Sequence, residues 1–191
     1  MIYQSRHLPH WHPEDAAIFR TWRLYGSCPA LPREWEALPA GKQFVFEDEL
    51  LDSLPTSPHY LNDAHVARVV AHSLRYGAQV LKLYDLHPWV IMSNHVHMLI
   101  DPKAPISRIT QSVKNYSARE ANRKPNRGGQ RFWQEESYDR WVRSQKEFDN
   151  IARYIELNPV KAGLVSNPED WIYSSAWGGQ ESAPTEVTHA Q

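Results

Sequence analysis

A chain of 191 residues with 41% hydrophobic content suits one mixed α and β domain with extensions, and is short for two full domains. A net charge of −1 gives no general affinity for nucleic acid, and Cys28, the sole cysteine, excludes an intrachain disulfide and a cysteine-built zinc site. No apolar run is long enough to span a bilayer and the N-terminus lacks a secretory layout, so a soluble cytoplasmic protein is expected.

Ile18 to Tyr25 alternates well enough for a first strand, closed by the turn-prone Gly26-Ser27. Residues 30–58 form a proline-rich insertion with an acidic patch at Glu47-Asp48-Glu49 and a short helix around Val45 to Leu51. Asn62 or Asp63 caps a helix whose Val66, Val69, Val70 and Leu74 keep helical spacing, with Gly77 as its stop. Two strands follow, Val80 to Met92 and His95 to Ile100. Pro88 marks a bend or an edge in the first, and Asn94 is the residue best able to take a positive φ between them.

Pro105 opens a second helix with the stripe Ile106, Ile109, Val113 and Tyr116 or Ser117. Phe132 to Val142 reads as a fourth strand or hairpin. Ser144 and Glu147 make a capping box for a last helix, buried through Phe148, Ile151, Ala152 and Ile155 and ending near Asn158, before Pro159. This order of elements is that of a ferredoxin-like α+β domain, an antiparallel sheet with flanking helices and an added C-terminal helix. It is expected to occupy residues 1–180, with a frayed polar tail at 181–191.

His95 and His97 alternate onto one face of their strand with Leu99, so two imidazoles stand side by side on rigid backbone. That is an arrangement a divalent cation can use. Tyr154 and Asn158, four residues apart, lie on one side of the last helix. If that side faces the histidines, Asn158 offers an amide oxygen as a third ligand and Tyr154 points its hydroxyl at whatever the metal holds. Taken singly, an HxH pair usually packs or hydrogen-bonds, Tyr154 packs at a helix flank, and Asn158 is a helix-end residue. No GxxxxGK[ST] segment is present, so no nucleotide cofactor is expected. Basic residues gather between Lys103 and Arg131 against Glu120 alone, which fits a localised polyanion site.

At NHVH (Asn94–His97) followed by YIELNPVKAGLV (Tyr154–Val165), the chain resembles the single-tyrosine HUH transposases, in particular the branch called REP-associated tyrosine transposases. SRHLPHW, RLYGSCP and WIYSSA extend the similarity over nearly the whole chain. Many relatives carry Pro where Ser93 stands, and insertion-sequence relatives carry Gln where Asn158 stands. The resemblance implies a ferredoxin-like fold, His95, His97 and Asn158 as ligands of Mg²⁺ or Mn²⁺, and Tyr154 as nucleophile. It implies cleavage and rejoining of single-stranded DNA at short palindromic, REP-like hairpins, through a 5′-phosphotyrosine and a free 3′ hydroxyl. It also implies a bacterial, nucleoid-associated monomer, with a dimer as the alternative. Arg108, Lys114, Arg119, Arg123, Lys124 and Arg127 are then the expected DNA-backbone contacts, and Trp133 or Trp141 a stacking platform for a base. Two other readings stay open: a catalytically quiet hairpin-binding regulator, and a metal-dependent phosphodiesterase that uses water.

Overall fold

The computed structural model describes residues 16–28, 35, 37–54, 57–123 and 129–179; SRHLPHW, Lys124, Arg127 and the 181–191 tail lie outside them. Four antiparallel strands form one sheet: β1 (Ile18–Arg23), β2 (Tyr84–Ile91), β3 (His95–Pro102) and β4 (Tyr138–Trp141), in the spatial order β2-β3-β1-β4. Four helices accompany it: α1 (Ala40–Ser53), α2 (Ala64–Gln79), α3 (Ile106–Ala121) and α4 (Gln145–Lys161). This is the ferredoxin-like order, with α1 inserted after β1 and α4 added after β4.

Side-chain alternation gives the sheet two apolar faces, and each meets a different pair of helices. Ile18, Trp22, Val96, Met98 and Ile100 face α2 and α3, packing on Val70, Leu74, Ile109 and Val113. Each of those buried aliphatic side chains contributes roughly 1.5–3 kcal/mol relative to an exposed one. Phe19, Val90 and Leu99 face the other way, towards Ile155 of α4, with Phe44 of α1 packed against the same cluster.

Several sequence expectations are revised by the local chemistry. Gly77 does not end α2; it lies inside it, where the Tyr84 ring comes so close that an added Cβ would stand 2.5 Å from the phenol oxygen. The helix runs on to Gln79, and Lys82 is the only described non-glycine residue with positive φ (53°), so β2 starts at Tyr84, not Val80. Pro159 lies within α4, which ends two residues later in a Schellman arrangement. Leu164 N–H donates to Pro159 O at 2.9 Å and Gly163 N–H to Val160 O at 3.0 Å, with Gly163 at φ 70°. Of the two residues offered for the end of the α3 stripe, Ser117 is the buried one; Pro105 stands just outside the helix, at its N-cap. The inserted helix is twice as long as the run Val45 to Leu51, at 14 residues.

The Pro88 expectation holds on both counts. The β2–β3 register shifts between Leu86 and Trp89, and β2 is an edge strand. Its outer side is covered by the WIYSSA segment: Ile91 N–H donates to Tyr173 O at 2.8 Å and Ser175 N–H to Trp89 O at 2.9 Å.

Candidate active site

His95 and His97 are fully buried at the start of β3, on the face that meets α1 and α4. Each ring is held through its Nδ1 atom. The Asn94 Nδ2 donates to Leu51 O (2.8 Å) and Ser57 Oγ (3.1 Å), which turns its Oδ1 to His95 Nδ1 at 2.7 Å. Because that oxygen only accepts, His95 Nδ1 carries the proton and Nε2 keeps its lone pair. Thr21 pairs with His97 across the β1–β3 ladder, and its Oγ1 lies 2.7 Å from His97 Nδ1. The two Nε2 atoms point into the site 3.0 Å apart. Asn94 therefore does not serve as a positive-φ turn residue; it is fully buried and fixes a tautomer.

Ile155 anchors α4 in the core, and this brings Tyr154 and Asn158 over the histidines. Asn158 is buried, with Nδ2 3.3 Å from His97 Nε2, while its Oδ1 has no hydrogen-bond partner. The amide thus meets the imidazole with its nitrogen; a half-turn about the Cβ–Cγ bond exchanges the two atoms. Tyr154 is half-buried, its ring edge-on to His97 at 5.8 Å between centroids and under the Lys161 ammonium at 4.3 Å.

The residue that sequence reasoning missed is Asp48. Phe44, Asp48 and Leu51 follow helical spacing, so the acid stands in the buried stripe of α1, and an acid within an apolar stripe was the available signal. Its Oδ1 is 3.4 Å from His95 Nε2 and 3.0 Å from His97 Nε2; its Oδ2 accepts from the Tyr154 hydroxyl and from Asn158 Nδ2 at 3.1 Å. Burial raises the Asp48 carboxyl, but His97 above all, together with the hydrogen bond from the Tyr154 hydroxyl, outweighs it and holds the acid below its usual range. Burial and then His97 push His95 down to about 3, so His95 is neutral at pH 7 and its contact with Asp48 is not an ion pair. Burial, then the Asp48 charge and hydrogen bond, push the Tyr154 phenol well above its ordinary value.

These donors suit a divalent cation. Asp48, His95 and His97 form the one group of three or more possible ligands among the described residues. Their donor atoms are 3.0 to 3.4 Å apart, close to the ~3.0 Å edge of an octahedron with bonds of about 2.1 Å. Asp48 Oδ1 is buried without a hydrogen-bond partner, facing an imidazole lone pair, an arrangement a cation relieves.

The expected DNA contacts do not join this cluster. Helix α3 lies on the opposite face of the sheet. Arg108 is exposed there; Arg119 and Arg123 are exposed and both pair with Glu120, at 3.2 and 2.6 Å. Lys114 donates to the Gln134 and Glu135 carbonyls, and burial pushes its amine down to about 8. Trp133 is buried and donates to Ser117 Oγ at 2.9 Å, so it offers no face to a base; Trp141 is half-buried.

The family described as IS200-like transposase matches residues 62–158, just over half of the chain. A REP-associated tyrosine transposase of Escherichia coli K12 is 25% identical over 96 residues, 48% of this chain and 54% of that one. The chain spans about half the length of the curated relatives it matches. A solved REP-associated tyrosine transposase bound to a REP hairpin shares the fold at a TM-score of 0.57 and 16% identity, over 88% of this chain and 81% of that one.

Proposed function

The chain belongs to the IS200-like transposase family, and on that premise we propose that it cuts and rejoins single-stranded DNA at short palindromic hairpins, with Tyr154 as the nucleophile. The observation that carries the reading is convergence: Tyr154 and Asn158 on α4, more than fifty residues from β3 in sequence, stand against the Nε2 side of His95 and His97. A packing tyrosine and a helix-end asparagine have no need of two buried imidazoles with their Nε2 atoms turned inward.

In the reaction the Tyr154 oxygen attacks the scissile phosphorus. The new bond joins that oxygen to the 5′ phosphate as the phenol gives up its proton, the P–O3′ bond breaks, and the departing O3′ takes up a proton and is released as a 3′ hydroxyl. The covalent ester keeps the phosphodiester energy, so rejoining needs no nucleotide cofactor. A phenol is a weak nucleophile near pH 7, its ordinary pKa being ~10. His95, His97 and Asn158 would hold Mg²⁺ or Mn²⁺, and such an ion would act as a Lewis acid towards the phosphate. Asn94 keeps His95 in the ligating tautomer, and Thr21 holds the His97 ring through its Nδ1 atom. Tyr154 stands beside the histidines of its own chain, which supports action as a monomer. The hairpin partner is supported by the bound DNA of the solved relative. Exposed Arg108, Arg119 and Arg123 are proposed to hold the DNA backbone, together with Lys124 and Arg127. No described helix is long and apolar enough to cross a membrane; the similarity to bacterial transposases supports a cytoplasmic place beside the nucleoid.

The test is an end-labelled hairpin oligonucleotide from the repeats flanking the gene, incubated with Mg²⁺ or Mn²⁺ and resolved on a denaturing protein gel. A labelled band at protein mass, lost in Tyr154→Phe, is the expected result. Binding with no cut would convert the reading to a hairpin-binding regulator. A cut with no adduct would make the protein a phosphodiesterase using water.

A further inference from the structure

We propose that Asp48 occupies the seat of the scissile phosphate, and that α1 is a tethered plug whose carboxylate fills that seat until single-stranded DNA displaces it. This deepens the cleavage reading and rests on it. A phosphodiester poised for attack must turn one non-bridging oxygen to the imidazole-held cation and its phosphorus to the tyrosine oxygen. Asp48 spans the same two partners: Oδ1 lies 3.0 and 3.4 Å from the imidazole nitrogens, and Oδ2 holds the Tyr154 hydroxyl. A carboxylate matches a phosphodiester in its single charge and in its pair of oxygens.

Burial argues that the arrangement is a closed one. His95 and His97 are 0% exposed, Asn158 1% and Asp48 4%. A phosphate with a deoxyribose on either side does not reach these groups while α1 lies over them. The helix is also built to leave. Its N-terminus has no side-chain cap, its last turn has no basic residue, and Val45 and Phe46 remain 44% and 38% exposed. Its attachments to the sheet and to α4 gather around the site, with Phe44 against Tyr138 and Phe19, Glu47 to Arg23 at 3.0 Å, Asp48 to Tyr154, and the Leu51 carbonyl to Asn94, while Gln43 exchanges hydrogen bonds with Trp35 inside the insertion. An element with few buried contacts opens at the least cost in free energy. Glu47, Asp48, Glu49 and Asp52 make it acidic, so while closed it repels the polyanion that must enter. Helix α1 also precedes the segment matched by the family, which begins at residue 62.

Two measurements test the plug without relying on strand cleavage. The first is the affinity of the full chain for a fluorescent oligothymidylate in EDTA, compared with Asp48→Asn and with Glu49→Gln. Glu49 is exposed on the same helix and removes the same unit of charge. Asp48→Asn is expected to bind about tenfold more tightly, equivalent to ~1.4 kcal/mol, and Glu49→Gln less than about twofold more tightly. The second is amide hydrogen exchange over residues 40–53 of the unaltered protein, expected to speed up on adding the oligonucleotide. Unchanged affinity in Asp48→Asn, an equal gain in Glu49→Gln, or slower exchange in α1 would each overturn the proposal. A protein that opens α1 on DNA yet never forms an adduct would refute the cleavage reading alone.

Discussion

Asn94→Ala removes a residue that holds three parts of the site at once. The side chain is fully buried; it donates to Leu51 O at 2.8 Å and to Ser57 Oγ at 3.1 Å, and accepts from His95 Nδ1 at 2.7 Å. Each hydrogen bond contributes ~1 kcal/mol net, and leaving the His95 N–H and Leu51 carbonyl unpaired adds to that, so a loss of about 3 kcal/mol is expected. The imidazole also loses the partner that keeps its proton on Nδ1, which weakens cation binding by roughly 10- to 100-fold. Urea unfolding gives the first quantity and Mn²⁺ titration followed by electron paramagnetic resonance gives the second. Asn94→Asp separates the two roles. A carboxylate still accepts from His95 but meets the Leu51 carbonyl with an acceptor in place of a donor. Stability is therefore expected to fall while Mn²⁺ affinity holds or rises. Unaltered Mn²⁺ affinity in Asn94→Ala would refute the argument that Asn94 sets the His95 tautomer.

Asp52, one turn beyond Asp48, is pushed up to about 7 by burial and then by the Asp48 charge, against a pull from His97. A carboxyl raised above its unfolded value of ~3.9 favours the folded state most below that value, and the contribution is lost as pH rises through 7. Asp52→Asn is therefore expected to flatten the stability profile between pH 4 and 7, and to gain about 1 kcal/mol over the unaltered protein at pH 8 after allowance for solvent screening. Calorimetric melts at pH 5 and 8 measure this, and equal gains at both would contradict it. Gly77→Ala is expected to destabilise by about 1–3 kcal/mol despite the better helix propensity of alanine. The new Cβ would meet Tyr84 at 2.5 to 3.0 Å, and that phenol is held by a 2.7 Å bond to the Leu74 carbonyl. A rise in the urea midpoint would show that the ring yields.

What could be read in the sequence was what strand and helix periodicity encode locally. The alternation of β3 puts His95 and His97 on one face, and the spacing of α4 puts Tyr154 and Asn158 on one side, before any tertiary contact is known. Asp48 was hidden for the converse reason. Its role depends on where α1 docks, and α1 has a weak apolar stripe, no side-chain cap and proline-rich flanks that hide its length. The charge pattern of α3 was legible only in part: composition shows that cations gather on one helix, but not which face of the sheet that helix covers. Asn94 shows the limit most sharply. Its chemistry suits a positive-φ turn as well as a buried amide, and the choice rests with the Leu51 carbonyl, 43 residues earlier and on the inserted helix. The same insertion that places a carboxylate on the imidazoles also supplies the acceptor that orients one of them, so the position of α1 bears both on the charge beside the histidines and on the tautomer of His95.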